Sequence, residues 1–141
     1  MIQEDKELLL KDISSRLPYR IKASYYGTEE ERETWDEIDS VTLDGYVGIG
    51  QYSLPIERIK PYLFPLSSMT KEQKKECFKG TPLAIHEYGD TAIKDVFYVY
   101  GQNTYLESFL RVVDWLNAHH FDYRGLIERG LAIDATGLNI Y

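Results

Sequence analysis

Five prolines, at positions 18, 55, 61, 65 and 82, divide this chain into short elements. Proline has no amide donor and holds the residue before it away from helical geometry. Pro18 therefore ends the helix expected over Gln3–Leu17, a run of helix formers that sets Ile2, Leu9, Ile13 and Leu17 near one face. Glu7 and Lys11 add an i,i+4 pair in the favourable order. Pro61 and Pro65 bracket Tyr62-Leu63-Phe64. The two missing donors point to an extended connector packed on the core, not to a central strand or a helix interior. Thr70-Lys71-Glu72-Gln73 reads as a capping box that opens a short helix running to Lys79, closed by Gly80 and followed by Pro82.

Between these stops the alternation is strand-like. Tyr19, Ile21, Ala23 and Tyr25 alternate with Arg20, Lys22, Ser24 and Tyr26, and β-like stretches follow at Val41–Ile49 and Ser53–Ile59. Two more, Pro82–Tyr88 and Ile93–Tyr100, are joined by a tight turn at Gly89-Asp90. Thr104 and Glu107 form a second capping box, after which Leu106, Phe109, Leu110, Val113 and Leu116 keep helical spacing as far as His119. These elements predict an α+β fold in a single domain over residues 1–141. It comprises an antiparallel sheet of about five strands, an N-terminal helix, a short middle helix and a long amphipathic helix near the C-terminus, packed on one face of the sheet. A small barrel-like arrangement of the strands between Tyr19 and Ile59 is the alternative.

Charge is unevenly spread. In Thr28–Asp39 seven carboxylates (Glu29, Glu30, Glu31, Glu33, Asp36, Glu37, Asp39) face one guanidinium, Arg32, and so carry −6 of the chain's net −7. We read this segment as a solvated loop or hairpin excursion with one helical turn. An acidic chain lacks the basic face that phosphate-backbone binding requires, so nucleic acid is an unexpected partner. The one cysteine excludes an internal disulfide framework and fits a reducing, cytoplasmic setting. The longest stretch free of Asp, Glu, Lys and Arg is Gly45–Ile56, twelve residues, against the roughly 18–20 apolar residues of a membrane span. The opening Met-Ile-Gln-Glu-Asp-Lys has no basic leader before an apolar core, so no signal peptide and no membrane partner are expected.

The densest chemistry lies in Asp114–Gly125. His119, His120 and Asp122 offer imidazole and carboxylate ligands to a transition metal, which makes a metal-assisted hydrolase one alternative reading. Asp114 and His119, five positions apart, stand about 140° apart on a helix and share no face. A helix end followed by an Asp-capped turn accounts for the same residues. His86-Glu87 falls in a strand pattern that points neighbours to opposite faces. Cys77 sits in the last turn of a short helix, where the carbonyl end disfavours a thiolate. Gly48-Ile49-Gly50 lacks the third glycine of a dinucleotide fingerprint, since Ser53 stands there. A calcium loop running from Ser40 would end on Gln51, where a bidentate Glu is required. The 12 tyrosines suit interface contacts or, as a further alternative, stacking on single-stranded bases.

Three stretches together carry a resemblance: Ser15-Arg16-Leu17-Pro18-Tyr19, Lys60-Pro61-Tyr62-Leu63 running into Ser67-Ser68-Met69-Thr70, and Asp114–Ala132, above all Trp115-Leu116-Asn117-Ala118-His119-His120-Phe121-Asp122-Tyr123-Arg124-Gly125-Leu126-Ile127. In that order they resemble a family of small uncharacterised proteins of gut bacteria and their phages or mobile elements. Phe64 and Leu66 depart from it, standing where the family tends to a basic residue and a methionine. The resemblance implies an intracellular accessory protein and brings no activity or cofactor. The expectation is a non-catalytic protein-binding or regulatory module with no cofactor, no catalytic residues and no bound metal. Its partner would be another protein, met through an interaction patch of His119, His120, Asp122, Tyr123 and Arg124.

Overall fold

The computed structural model describes residues 1–26, 33–79 and 106–141. The expected hairpin over Pro82–Tyr100, the Gly80 cap and the Thr104 capping box lie outside them. Helix α1 spans Gln3–Arg16 and passes into a 3-10 turn, Leu17–Tyr19, at Pro18. Its buried stripe is Leu9, Asp12, Ile13 and Arg16, an i, i+3, i+4, i+7 pattern rotated from the expected one. Ile2 is exposed, and Leu17 is only partly buried. Helix α2 (Lys71–Phe78) opens with the capping box expected at Thr70. Gln73 N–H donates to the Thr70 hydroxyl (3.1 Å), and Thr70 N–H donates to Gln73 Oε1 (2.8 Å). Helix α3 covers Leu106–Ala118.

The strands are β1 (Lys22–Tyr26), β2 (Glu33–Val41), β3 (Tyr46–Ile49), β4 (Tyr52–Pro55), β5 (Ile59–Pro65), β6 (Phe121–Asp122) and β7 (Ile133–Asp134). Among the described residues they form one open sheet in the order β4-β3-β2-β1-β5-β6, with β7 also on β5; the strands do not close into a barrel. The first five pair antiparallel, whereas β6 and β7 run parallel to β5, so the sheet is mixed. Two-residue strands carry no period, which is why the sequence gives no sign of the parallel pair.

Two further readings are corrected. The acidic residues from Glu33 to Asp39 belong to a nine-residue strand and not to a loop. That strand pairs with β1 from Tyr26↔Glu33 to Lys22↔Glu37; Asp36 and Asp39 are exposed and Glu37 is half-buried, while Ile38 turns inward. The segment around Pro61 is strand β5, with partners on both edges, and not a connector. Donors and acceptors alternate between the two edges of a strand. Tyr62 faces β1, because its carbonyl accepts from the Tyr141 hydroxyl, which is itself bonded to Lys22 of β1. Leu63 faces the other edge and accepts from Ala135 N–H at 2.8 Å. Pro61 is in phase with Leu63, so its missing donor falls on the β7 edge, just before the first β7 partner, Tyr62. The ladder to β1 loses nothing.

One face of the sheet holds the main core. Leu9 and Ile13 of α1 pack there on Ile21, Ala23, Ile38, Val47, Ile49, Leu54, Ile56, Ile59 and Leu63, with Leu126 and Leu131 alongside. Burying each such side chain stabilises by about 1.5–3 kcal/mol. A second cluster joins α2 to α3 through Cys77, Phe78, Val112 and Leu116 and reaches Met69 and Phe121. No helix among the described residues is long and apolar enough to cross a membrane.

Candidate functional site

The segment from His119 to Arg124 follows α3 directly, and the structure sends its side chains to different neighbours. His120 takes the left-handed conformation (φ 64°) that ends the helix. Its N–H returns to Asn117 O, and its own carbonyl accepts from Phe64 N–H at 2.8 Å, which starts the β5–β6 pairing. Asp122 is buried, and its two carboxylate oxygens accept from Leu126 N–H (3.0 Å) and Ile127 N–H (2.9 Å). It is the Asp-capped turn that the sequence offered as the plainer reading. Tyr123 donates its hydroxyl to Asn117 Oδ1 at 2.8 Å, and its ring lies against two guanidiniums, Arg16 at 5.1 Å and Arg124 at 5.2 Å.

Beneath Tyr123 lies a pair the sequence reading passed over. Asp12 and Arg16, four apart in α1, are both fully buried. Arg16 donates through Nε to Asp12 Oδ2 (2.8 Å) and through Nη2 to Asp12 Oδ1 (3.1 Å) and to the Phe121 carbonyl (2.8 Å). Arg124 Nε stands 3.4 Å from Asp12 Oδ1, within ion-pair reach but not aligned for a hydrogen bond. These bonds pin the post-α3 segment onto α1. The visible signal was a charged i,i+4 pair within an apolar stripe.

His119 is exposed and belongs to another neighbourhood. It stacks on Trp115 (4.0 Å between centroids) and lies 3.9 Å from Glu76 Oε1 of α2. His119, His120 and Asp122 therefore do not converge, and no cluster of three metal-capable side chains forms among the described residues. Cys77 is buried, and burial, helped by the Glu76 charge, pushes its thiol up to about 12. That leaves no thiolate for nucleophilic chemistry near neutral pH.

The best-built exposed feature lies on the sheet face opposite the main core. Lys22, Ser24, Trp35, Glu37 and Lys60 share it, since Trp35 and Lys60 are both cross-strand partners of Ser24, and Glu37 is that of Lys22. Trp35 is 51% exposed and Tyr141 is 41% exposed. The Lys22 ammonium lies 5.1 Å from the Trp35 ring centroid and 5.6 Å from that of Tyr141, and it donates to Ile140 O at 2.7 Å. The Tyr141 hydroxyl accepts from Lys22 N–H (3.0 Å) and donates to Tyr62 O (2.9 Å). Burial of that hydroxyl holds its pKa well above the usual phenol value. The Tyr141 ring stacks on His120 at 3.6 Å and 12° and tilts against Phe64 at 6.0 Å. His120 Nδ1 is buried beneath the stack with no hydrogen-bond partner. Burial, then the charges of Arg16, His119 and Lys22, lower the His120 pKa to about 4, so the imidazole is neutral at pH 7.

The result is a series of contacts, Trp35–Lys22–Tyr141–His120, in which the two partly exposed aromatics share one ammonium. Trp35 gives no sequence signal of its own, because it lies within the acidic segment, where charge dominates the pattern. Tyr141 carried no local signal, because its hydrogen-bond partners are 79 to 119 residues away. No family model matches the chain, and it is similar to no curated protein and to no solved structure.

Proposed function

We propose that this chain is a non-catalytic, cytoplasmic protein-binding module that engages its partner through the outer sheet face around Trp35, Lys22 and Tyr141. The observation that carries this reading is Trp35, an exposed tryptophan on a strand of a paired sheet, with the Lys22 ammonium against its ring and against that of Tyr141. Tryptophan and tyrosine supply large contact area at low entropic cost, and binding energy concentrates in such residues when they are held in place beforehand. Among the described residues, three groups suited to catalysis serve the fold: Asp122 caps a turn, His120 supports a stack and Cys77 is buried. A setting among the small accessory proteins of gut bacteria and their mobile elements is part of the same proposal, and it rests on the sequence resemblance alone.

The test is affinity capture of the tagged protein from host cells, with and without nuclease, alongside two variants. Trp35→Ala removes the ring, and Leu43→Ala alters a side chain that is 99% exposed in the turn between β2 and β3. Support would be one protein held at near-equal amount by the wild type and by Leu43→Ala, resistant to nuclease, and lost with Trp35→Ala. Recovery lost on nuclease treatment would favour a single-stranded nucleic acid instead. Recovery unaffected by Trp35→Ala would move the interface elsewhere.

A further inference from the structure

After β7 the chain makes one turn, closed by Thr136 N–H on Asp134 Oδ1 (2.9 Å) and Leu138 N–H on Ala135 O (3.1 Å), and then crosses to the outer sheet face. Residues 136–139 are exposed, with Gly137 and Asn139 at positive φ (77° and 51°). Among the described residues, the hydrogen bonds that dock the end of this segment come from two side chains. The Lys22 ammonium bonds the Ile140 carbonyl, and the Tyr141 hydroxyl bridges the backbone of Lys22 and Tyr62. Tyr141 fills the place on β5 between its pairing with β1, which ends at Pro61, and its pairing with β6, which starts at Phe64. Lifting it frees the Lys22 N–H and the Tyr62 carbonyl to water and uncovers one face of His120.

We propose that residues 136–141 form a releasable strap whose closure excludes a proton from His120, so that docking of Tyr141 and protonation of this imidazole compete. The charged groups that face His120 are Arg16 from α1, Lys22 from β1 and His119 beside it, all cationic when charged. The buried Nδ1 has no acceptor to receive a new proton. An imidazolium beneath the closed strap meets the Tyr141 π face, but it loses water, finds no partner for Nδ1 and repels Lys22, the side chain that holds Ile140; the costs outweigh the π contact. With the strap open the ring meets water and returns towards its ordinary value of about 6.5. The inference concerns the face described above but does not rest on its binding a protein. If it does bind one, acidification takes Tyr141 out of the contact row.

The sign follows from the two states. Between pH 6.5 and about 4 only the open form holds the proton, so closure weakens as pH falls and is unaffected above that window. If opening restores the ordinary value in full, closure weakens by about 20-fold between pH 7 and pH 5. The Lys22 amide reports on it directly, because its bond to the Tyr141 hydroxyl forms only when the strap is closed.

The experiment is amide exchange by NMR on the intact protein from pH 7 to pH 4.5, corrected for the intrinsic pH dependence of exchange, with the His120 ring titrated in the same samples. Loss of Lys22 protection while Ala23 and Tyr25 of β1 keep theirs, together with depressed titration of His120, supports the strap. Lys22 protection that changes less than twofold, or a His120 that titrates near 6.5 with Tyr141 still docked, overturns it. The variant His120→Asn tolerates the positive φ and cannot titrate in this range. It should abolish the pH dependence whatever its baseline. Should that variant not fold, the wild-type ring titration still decides. Because no partner is present, failure here leaves the binding proposal standing, and failure of the capture experiment leaves the strap untouched.

Discussion

Truncating Asp12 should be the most damaging single change at the junction of α1 with the segment after α3. Asp12 and Arg16 are each 0% exposed, and Asp12 accepts two of the three Arg16 hydrogen bonds. Asp12→Ala leaves a buried guanidinium with only the Phe121 carbonyl, and Arg124 loses its nearest carboxylate as well. Removing one partner of a buried pair costs about 3–5 kcal/mol, because the remaining charge keeps its desolvation penalty without its counterion. Against a total stability on the order of 5–15 kcal/mol this is a large fraction. With a urea slope of about 2 kcal/mol per molar, the unfolding midpoint should fall by about 2 M. The double variant Asp12→Leu, Arg16→Met removes both charges. Its remaining defects are the unmet Phe121 carbonyl, worth about 1–3 kcal/mol, and the loss of Arg124's carboxylate, which Asp12→Ala shares; apolar packing partly offsets them. It should therefore be more stable than Asp12→Ala alone, and that inversion is the diagnostic result. A cost for Asp12→Ala below about 1 kcal/mol, or additive single costs in the double variant, would refute the argument that this pair is buried and coupled.

Three other outcomes follow from the same contacts. Asp122→Ala should cost about 2–4 kcal/mol in chemical denaturation by stranding the amides of Leu126 and Ile127, whereas Asp122→Asn, which keeps one acceptor, should cost less. Global stability should fall as pH drops from about 6.5 towards 4, where the unfolded chain binds a proton at His120 that the native state refuses. The ceiling is about 3 kcal/mol, and His120→Asn should flatten that part of the profile. Cys77 should resist iodoacetamide at pH 8 in the folded protein and react promptly in urea, which labelling followed by mass spectrometry would show.

Local chemistry made part of this fold readable. The Thr70 capping box and the stop at Pro18 act through neighbours within four residues, and both appear where the sequence places them. Alternation points to Tyr19, Ile21, Ala23 and Tyr25; the last three are buried, while Tyr19 falls in the 3-10 turn before β1 and is only half-buried. What stayed hidden depended on distant partners. Pro61 sits in an internal strand because its missing donor happens to face the edge where β7 has not yet begun pairing, a matter of register that composition does not carry. The acidic run reads as loop by charge, yet its residues from Glu33 to Glu37 pair with β1, and Ile38 is its one buried side chain among those described. The patch expected at His119–Arg124 drew on residue types that serve binding and scaffolding equally well. Which use prevails depends on Arg16 and Tyr141, which stand 103 and 17 positions from the nearest residue of that patch and are brought in only by folding.

The central claim is that the outer sheet face around Trp35 is the contact surface. Its most direct test is the affinity of the captured partner for purified wild type and purified Trp35→Ala, measured side by side by calorimetry, with thermal unfolding confirming that both are folded. A residue at the centre of such an interface costs at least about 2 kcal/mol on truncation, so Kd should rise by about 30-fold or more. Equal affinities, with the Trp35→Ala protein folded, would contradict the account.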